Sequence, residues 1–283
     1  MNFKQFDPRK SSIKDIYHLM ISGVAPRPIA LVSSLDKKGT SNLAPFSFFN
    51  AFGANPPIVG FSPTLSGKTG LPKDTLLNIK ETAEFTISIV TSDMIEQVSL
   101  SSCEYNKDID EFLKAGFNKR KSNMIKPPGV VESPFIMECK LNKIIELGNK
   151  PASGNLILGE VVLFHIDLKV LNKFNEIDPI KIDQVGRSGG PWYTEIKTSL
   201  FKLDKPTGLS IGFDNIPIEI LNSNLTGNQL AKFASVKEVP KLEKKILVSK
   251  KLNEVINEID KLLNQNKIHK AWQLVLSWKL KNE

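Results

Sequence analysis

The sequence predicts a mainly β protein, an antiparallel barrel with short helices and a C-terminal helical extension. Three observations predict it. Short apolar runs, several of them alternating as half-buried strands do, follow one another from Ile29 to Leu168 across turn-rich connections. Few of those connections can hold the crossover helix that parallel strands need, which argues for antiparallel pairing and against a Rossmann arrangement. After about residue 205 the texture changes, and between Lys241 and Glu283 the apolar positions Leu252, Val255, Ile256, Ile259, Leu262 and Leu263 recur at helical spacing. The expected division is a barrel domain over 1–200, a linker or extension over 201–240 and a helical tail over 241–283.

Each element has a local cause. Ile13 to Met20 reads as a short helix or strand. Two runs, Ile29 to Leu35 and Ser41 to Asn50, flank Asp36-Lys37-Lys38-Gly39, where Gly39 closes a hairpin by taking the left-handed conformation. Ile58 to Ser62 is a third strand, and Pro63 to Lys73, punctuated by Gly67, Gly70 and Pro72, is an exposed loop. Asp74 or Thr75 caps a helix through Thr82, followed by an alternating strand from Glu84 to Val90. Ser92 to Ser101 and Asp108 to Ala115 are short helices, the second stopped by Gly116. Two longer strands, Ser133 to Leu147 and Asn155 to Leu168, meet through the loop Gly148 to Gly154, and Pro179 to Thr194 ends this part of the chain.

Composition narrows the function. With 283 residues and 41% hydrophobic, the chain can bury a substantial core. Its N-terminus lacks an apolar run after the first charges, and nowhere do about 18 apolar residues follow one another, so no secretion and no membrane span are expected. Two cysteines, Cys103 and Cys139, without metal-ligand spacing fit a reducing cytoplasm. The formal charge of +8 raises the question of nucleic acid, but only Arg9, Arg27, Arg120 and Arg187 carry guanidinium groups. Nucleic-acid readers lean on arginine, so a solvated lysine face is the reading, and no nucleic-acid partner is expected. Such a charge attracts small anions, a phosphorylated cofactor among them.

The densest chemistry lies between Pro26 and Asn78. Lys73-Asp74-Thr75 at a helix opening offers an ammonium, a hydroxyl and free backbone N–H groups at the positive end of the helix dipole, which together make an anion site within reach of the Ser62 hydroxyl. The alternative is a plain helix cap beside a solvated lysine. Asn42-Leu43-Ala44-Pro45-Phe46-Ser47 puts an amide, a hydroxyl and a proline on one strand; Pro45 cannot donate to a ladder, so the strand is expected at an edge or bulge, with backbone groups free to meet a flat heterocycle. Its alternative is a bulged core strand. Ser66-Gly67-Lys68-Thr69 imitates a nucleotide-binding loop, but Ser62 stands where such a loop needs glycine. His18, His165 and His269 are scattered, so neither a metal site nor a nucleophilic triad is expected.

Taken in order, Pro26-Arg27-Pro28-Ile29-Ala30, Asn42 to Asn50, Pro57 with Gly60-Phe61-Ser62, Lys73-Asp74-Thr75-Leu76 with Asn78-Ile79, Glu84-Phe85, Val131-Glu132-Ser133-Pro134, Gly159-Glu160-Val161, and Arg187-Ser188-Gly189-Gly190 with Tyr193 resemble the flavin reductase-like, FMN-binding split-barrel family, flavoredoxin-type proteins included. The likeness covers about residues 15 to 200. It implies a six-stranded Greek-key split barrel that forms a homodimer, with FMN phosphate on Ser62, Lys73, Asp74, Thr75 and the nearby loop and with Asn78 in the same motif. The isoalloxazine would lie along Asn42, Ala44, Pro45, Phe46 and Ser47. Arg187, Gly189, Gly190 and Tyr193 would close the site, in one variant from the second subunit. The implied activity is a flavin reductase passing hydride from NADH or NADPH to flavin N5, with no catalytic side chain because the cofactor carries the chemistry. An alternative within the resemblance is a flavoredoxin-like electron carrier without its own nicotinamide site, served by a partner oxidoreductase or electron acceptor. FMN as bound cofactor and FMN as diffusible substrate both fit.

Overall fold

The computed structural model describes residues 1–203, 208–243, 246–249 and 251–282. It divides into two compact units, Met1–Leu200 and Phe201–Glu283.

The first unit opens with α1 (Ile13–Gly23), whose N-cap Ser12 accepts from the Asp15 backbone. A two-residue strand β1 (Arg27–Pro28) leads into β2 (Ala30–Leu35), which turns back through Asp36 to Thr40 into β3 (Ser41–Phe46). Gly39 sits at φ +89°, as the hairpin requires. The chain then bends at Ser47 and Phe48 and continues as β4 (Phe49–Ala54) and β5 (Pro57–Phe61). After the loop come α2 (Asp74–Thr82) and β6 (Glu84–Ile89). Two short helices follow, α3 (Ile95–Leu100) and α4 (Glu111–Ala115), the latter capped by Asp110 and stopped by Gly116 in the left-handed region. The small ladder of β7 (Lys119–Arg120) and β8 (Gly129–Val130) precedes the long hairpin of β9 (Phe135–Glu146) and β10 (Asn155–Ile166). Finally β11 (Val185–Arg187) pairs with both β1 and β12 (Tyr193–Glu195), before the one-turn α5 (Ile196–Ser199).

All neighbours in the main sheet are antiparallel, in the order β3-β2-β6-β9-β10-β5-β4. This corrects the six-stranded expectation. The run Ser41 to Asn50, read as one strand, is broken by the Ser47-Phe48 bend, and Phe49–Ala54 pairs with β5 as a seventh strand. The Greek-key ring is also not closed: β3 and β4 occupy opposite edges of the sheet and do not pair. They are nevertheless joined by two residues, a span of at most about 11 Å. The two edges therefore meet at one corner and part beyond it, which is a barrel with a split.

Inside the curled sheet, Ala30, Val32, Phe61, Phe85, Ile87, Cys139 and Ile157 form a core into which Leu76 and Ile79 of α2 project. Phe61 stands between Phe46 and Phe85, with ring centroids 5.2 and 5.5 Å away. On the other face of β2 and β3, Leu31 and Leu43 pack with Val98 of α3 and Phe112 of α4. Thus α2 and α4 are each held against a different side of β3.

The second unit contains α6 (Ile218–Leu221), α7 (Gly227–Ala234), α8 (Leu252–Asn264) and α9 (Ile268–Asn282). A capping box between Thr226 and Gln229 starts α7. Ile220, Phe233, Ile259, Leu263 and Trp272 are fully buried in one core, with Phe233 and Trp272 edge to face at 5.0 Å. No described helix is long and apolar enough to cross a membrane.

Candidate functional site

A cleft of about 340 Å³ opens between the outer edge of β3, the start of α2 and the segment after α3. Its lining joins Asn42, Ala44, Pro45 and Phe46 to Lys73, Asp74 and Thr75, two groups about thirty residues apart that the sequence had put forward separately. The volume falls in the range of small-molecule sites, about 300–1,000 Å³.

Lys73 is the N-cap of α2 and gives no side-chain cap bond. The first backbone bonds of the helix run from Leu76 and Leu77 to the Lys73 carbonyl, leaving the Asp74 and Thr75 N–H groups as the orphan donors of the first turn. This corner has the chemistry of an anion site. Thr75 differs from expectation in one respect: at 1% exposure it donates its hydroxyl proton to Asn42 Oδ1 at 2.7 Å, so the side chain is turned toward the strand.

Asn42 is the hub of a polar network at the barrel end. Its Oδ1 also accepts from Ser34 Oγ at 3.4 Å, and its Nδ2 donates to Glu111 Oε1 at 3.2 Å. The second Glu111 oxygen accepts from the Leu43 backbone N–H at 3.0 Å. Burial pushes the Glu111 carboxyl above its ordinary range, and the bonds from Leu43 and Asn42 partly offset this. Asn78, one turn behind Thr75 and 3% exposed, donates to Ser34 Oγ at 3.2 Å and supports the network from the rear.

The remaining expected residues lie elsewhere. Ser62 accepts from the Asn155 N–H at 3.1 Å and is seated against the β10 hairpin. Ser47 accepts from Arg27 Nε at 3.4 Å. Arg187 stacks on the Tyr193 ring, 4.5 Å from its centroid, and donates to the Gly190 carbonyl, with Gly189 in the left-handed region beside it. These residues do not line the cleft.

Sequence reasoning missed several that do. Ser66, Lys68 and Thr69 were not singled out: they belong to the loop that the resemblance brought in only as the one near the phosphate, and their own motif was set aside as a failed nucleotide-binding loop, though the side chains remain suited to anions. Ser101 to Tyr105 complete the lining, and Glu111 joins it against β3. Glu111 is 68 residues from Leu43 in the chain, and no local pattern announces such a contact.

Residues 22–177 match the flavin reductase like domain, more than half of the chain. The chain belongs to the flavin reductase-like family. Solved structures agree. This flavin reductase-like chain is 30% identical to nitrilotriacetate monooxygenase component B from Bacillus cereus, with a TM-score of 0.67, over 72% of this chain and 100% of that one. It is also 30% identical to the 2-nitrobenzoate 2-nitroreductase of Pseudomonas fluorescens, with a TM-score of 0.65, over 73% and 98%. A protein with a split barrel domain from Shewanella frigidimarina is 25% identical, with a TM-score of 0.60, over 72% and 98%.

Proposed function

We propose that this chain is an FMN-binding flavin reductase of the cytoplasm that transfers hydride from NADH or NADPH to flavin, with the FMN in the cleft between β3 and α2. One observation carries the reading: an uncapped helix opening with a lysine and two orphan N–H groups shares a single cleft with the edge of a proline-interrupted strand. The first suits a phosphate and the second a flat ring. The fit extends to Lys68, Ser66 and Thr69, which add a second ammonium and two hydroxyls to the phosphate end. Lys73, Lys68 and the α2 N-terminus would hold the phosphate, while Asn42 to Phe46 would face the ring.

FMN bound there would supply the hydride chemistry at its N5. The protein's own contribution is position. Asn42 is fixed by Thr75, Ser34 and Glu111, and Phe46 is backed by Phe61, so the wall under the ring is rigid. Arg187, Gly189, Gly190 and Tyr193 enter this reading as residues that reach the flavin of the other copy in a homodimer, since they stand outside the cleft of their own chain.

The test compares FMN with riboflavin, which lacks the phosphate. Lys73→Ala removes one charge-assisted bond, about 1.5–3 kcal/mol, and should weaken FMN about ten- to a hundredfold while leaving riboflavin within about threefold. Equal loss for both ligands refutes the phosphate assignment. Tight FMN binding without oxidation of added NADH or NADPH would turn the function to a flavoredoxin-like electron carrier.

A further inference from the structure

The second unit holds a pocket of its own, of about 450 Å³, where the exit of α6 meets the start of α8. The volume is again that of a small-molecule site. Residues four apart on a helix share a face, so α8 brings two neighbouring ridges to the lining, Leu252 with Ile256 and Asn253 with Asn257. One ridge is aliphatic and the other is made of amides. The exit of α6 adds Glu219, Asn222 and Asn224. Among the described residues the lining has no lysine, arginine or aromatic ring, so a phosphate finds no cation there and a flat heterocycle no stacking face.

Glu219 gives the pocket its chemistry. Its Oε2 is closed off from water, and no hydrogen bond reaches it among the described residues. Buried polar oxygens almost always have a partner, and a carboxylate left without one is costly. What it lacks is a donor, and the strongest donor to a carboxylate carries positive charge. Ser223, also in the lining, does not serve, since its hydroxyl donates to the Ile220 carbonyl at 2.6 Å. The side chains of Asn222, Asn224, Asn253 and Asn257 are exposed, and their carbonyl oxygens suit the same kind of donor. Asn253 and Asn257 stand inside a helix, where asparagine is a poor choice on local grounds alone. Local rules are broken in this way where a surface serves a ligand.

We propose that this pocket binds a small aliphatic ammonium compound, a primary amine or short diamine. Its ammonium would lie against Glu219 and the asparagine carbonyls, and its methylenes along Leu252 and Ile256. The charge of a carboxylate is spread over both oxygens, so an ammonium held against the group compensates the oxygen that water does not reach. The pocket lies wholly within the second unit, and the proposal is independent of the FMN reading.

Isothermal titration calorimetry of the full chain with butane-1,4-diamine and with butane-1,4-diol separates recognition of charge from a hollow that takes any small polar molecule. The diamine should bind saturably and at least about tenfold more tightly than the diol. Glu219→Gln keeps the shape and removes the charge; it should weaken the diamine about tenfold or more and leave the diol within about threefold. Asn257→Ala, at an exposed position of α8, should weaken the diamine about threefold and decides the matter if Glu219→Gln does not fold. General damage to the fold would weaken diamine and diol together. No saturable binding of the diamine to the unaltered chain, equal affinity for diamine and diol, or an unchanged diamine affinity in either variant overturns the site.

Discussion

Gly159 tests whether the barrel interior is as tightly built as its geometry states. It lies on β10 at a register shift, opposite Leu141 of β9 and Val59 of β5. A Cβ at this position would stand 2.3 Å from Phe85 Cζ, 3.0 Å from Phe85 Cε1 and 3.3 Å from Cys139 Cβ. Carbon atoms rest at about 3.5–4.0 Å, so Gly159→Ala forces the Phe85 ring back by more than about 1 Å. That ring is fully buried, and Phe61 lies 5.5 Å from its centroid. Overpacking of this kind costs about 1–3 kcal/mol, set against about 0.4–1 kcal/mol gained from the stiffer unfolded chain. At about 2–4 °C per kcal/mol for a unit of this size, the melting temperature followed by circular dichroism should fall by several degrees. Phe85→Leu in the same chain removes the collision, so the double variant should be less destabilised than the sum of the two singles. An unchanged melting temperature in Gly159→Ala, or strict additivity in the pair, refutes the argument.

Two further outcomes follow from buried titratable groups. Burial pushes the Glu138 carboxyl up, but bonds from the Asn123 N–H at 2.7 Å, from His165 Nε2 and from the Met124 N–H outweigh this and leave it below the usual carboxylate range. Its stabilisation is therefore present above the unfolded carboxylate pKa of about 4.3 and is lost as pH falls through the lower folded value. Glu138→Gln should cost about 2–3 kcal/mol at neutral pH in urea unfolding and flatten the acid limb of the stability profile; an unchanged limb would remove Glu138 from the account. Of the two thiols, Cys103 is exposed on the cleft wall, whereas burial pushes the Cys139 thiol far up. A disulfide reagent should modify Cys103 within minutes and Cys139 only after unfolding, and saturating FMN should slow the first; equal rates for both thiols would contradict the packing.

What could be read beforehand was whatever local chemistry dictates. The hairpin at Gly39, the stop at Gly116, the α2 span to Thr82 and the pair of C-terminal helices all announce themselves within a few residues. The α2 opening differs by one position, with Lys73 as N-cap and Asp74 inside. β4 was hidden because Phe49–Ala54 is mostly exposed and has no alternating face. Lys73 and Asn42 were legible as suitable residue types, but their shared cleft depends on how the sheet curls. Glu111 was hidden for the same reason: a carboxylate that bonds a backbone 68 residues away leaves no periodic trace. Thr75 shows the limit from the other side, since its type was read correctly while the direction of its hydroxyl was set by Asn42.

The two-residue bend at Ser47 and Phe48 makes β3 sensitive to events far from it. Six strand pairings separate β3 from β4 around the sheet, and at about 20–25° of twist each they accumulate about 120–150° before the chain's own short connection ties the ends together. Any ladder that coils slightly more or less must pass its error to that tie, where the strand supplying one side of the cleft begins. The β3 side of the cleft thus works as a gauge of the whole sheet's curvature: substitutions in β9 or β10, which do not line the cleft, are expected to register there as a change in cleft geometry before they register as a loss of fold.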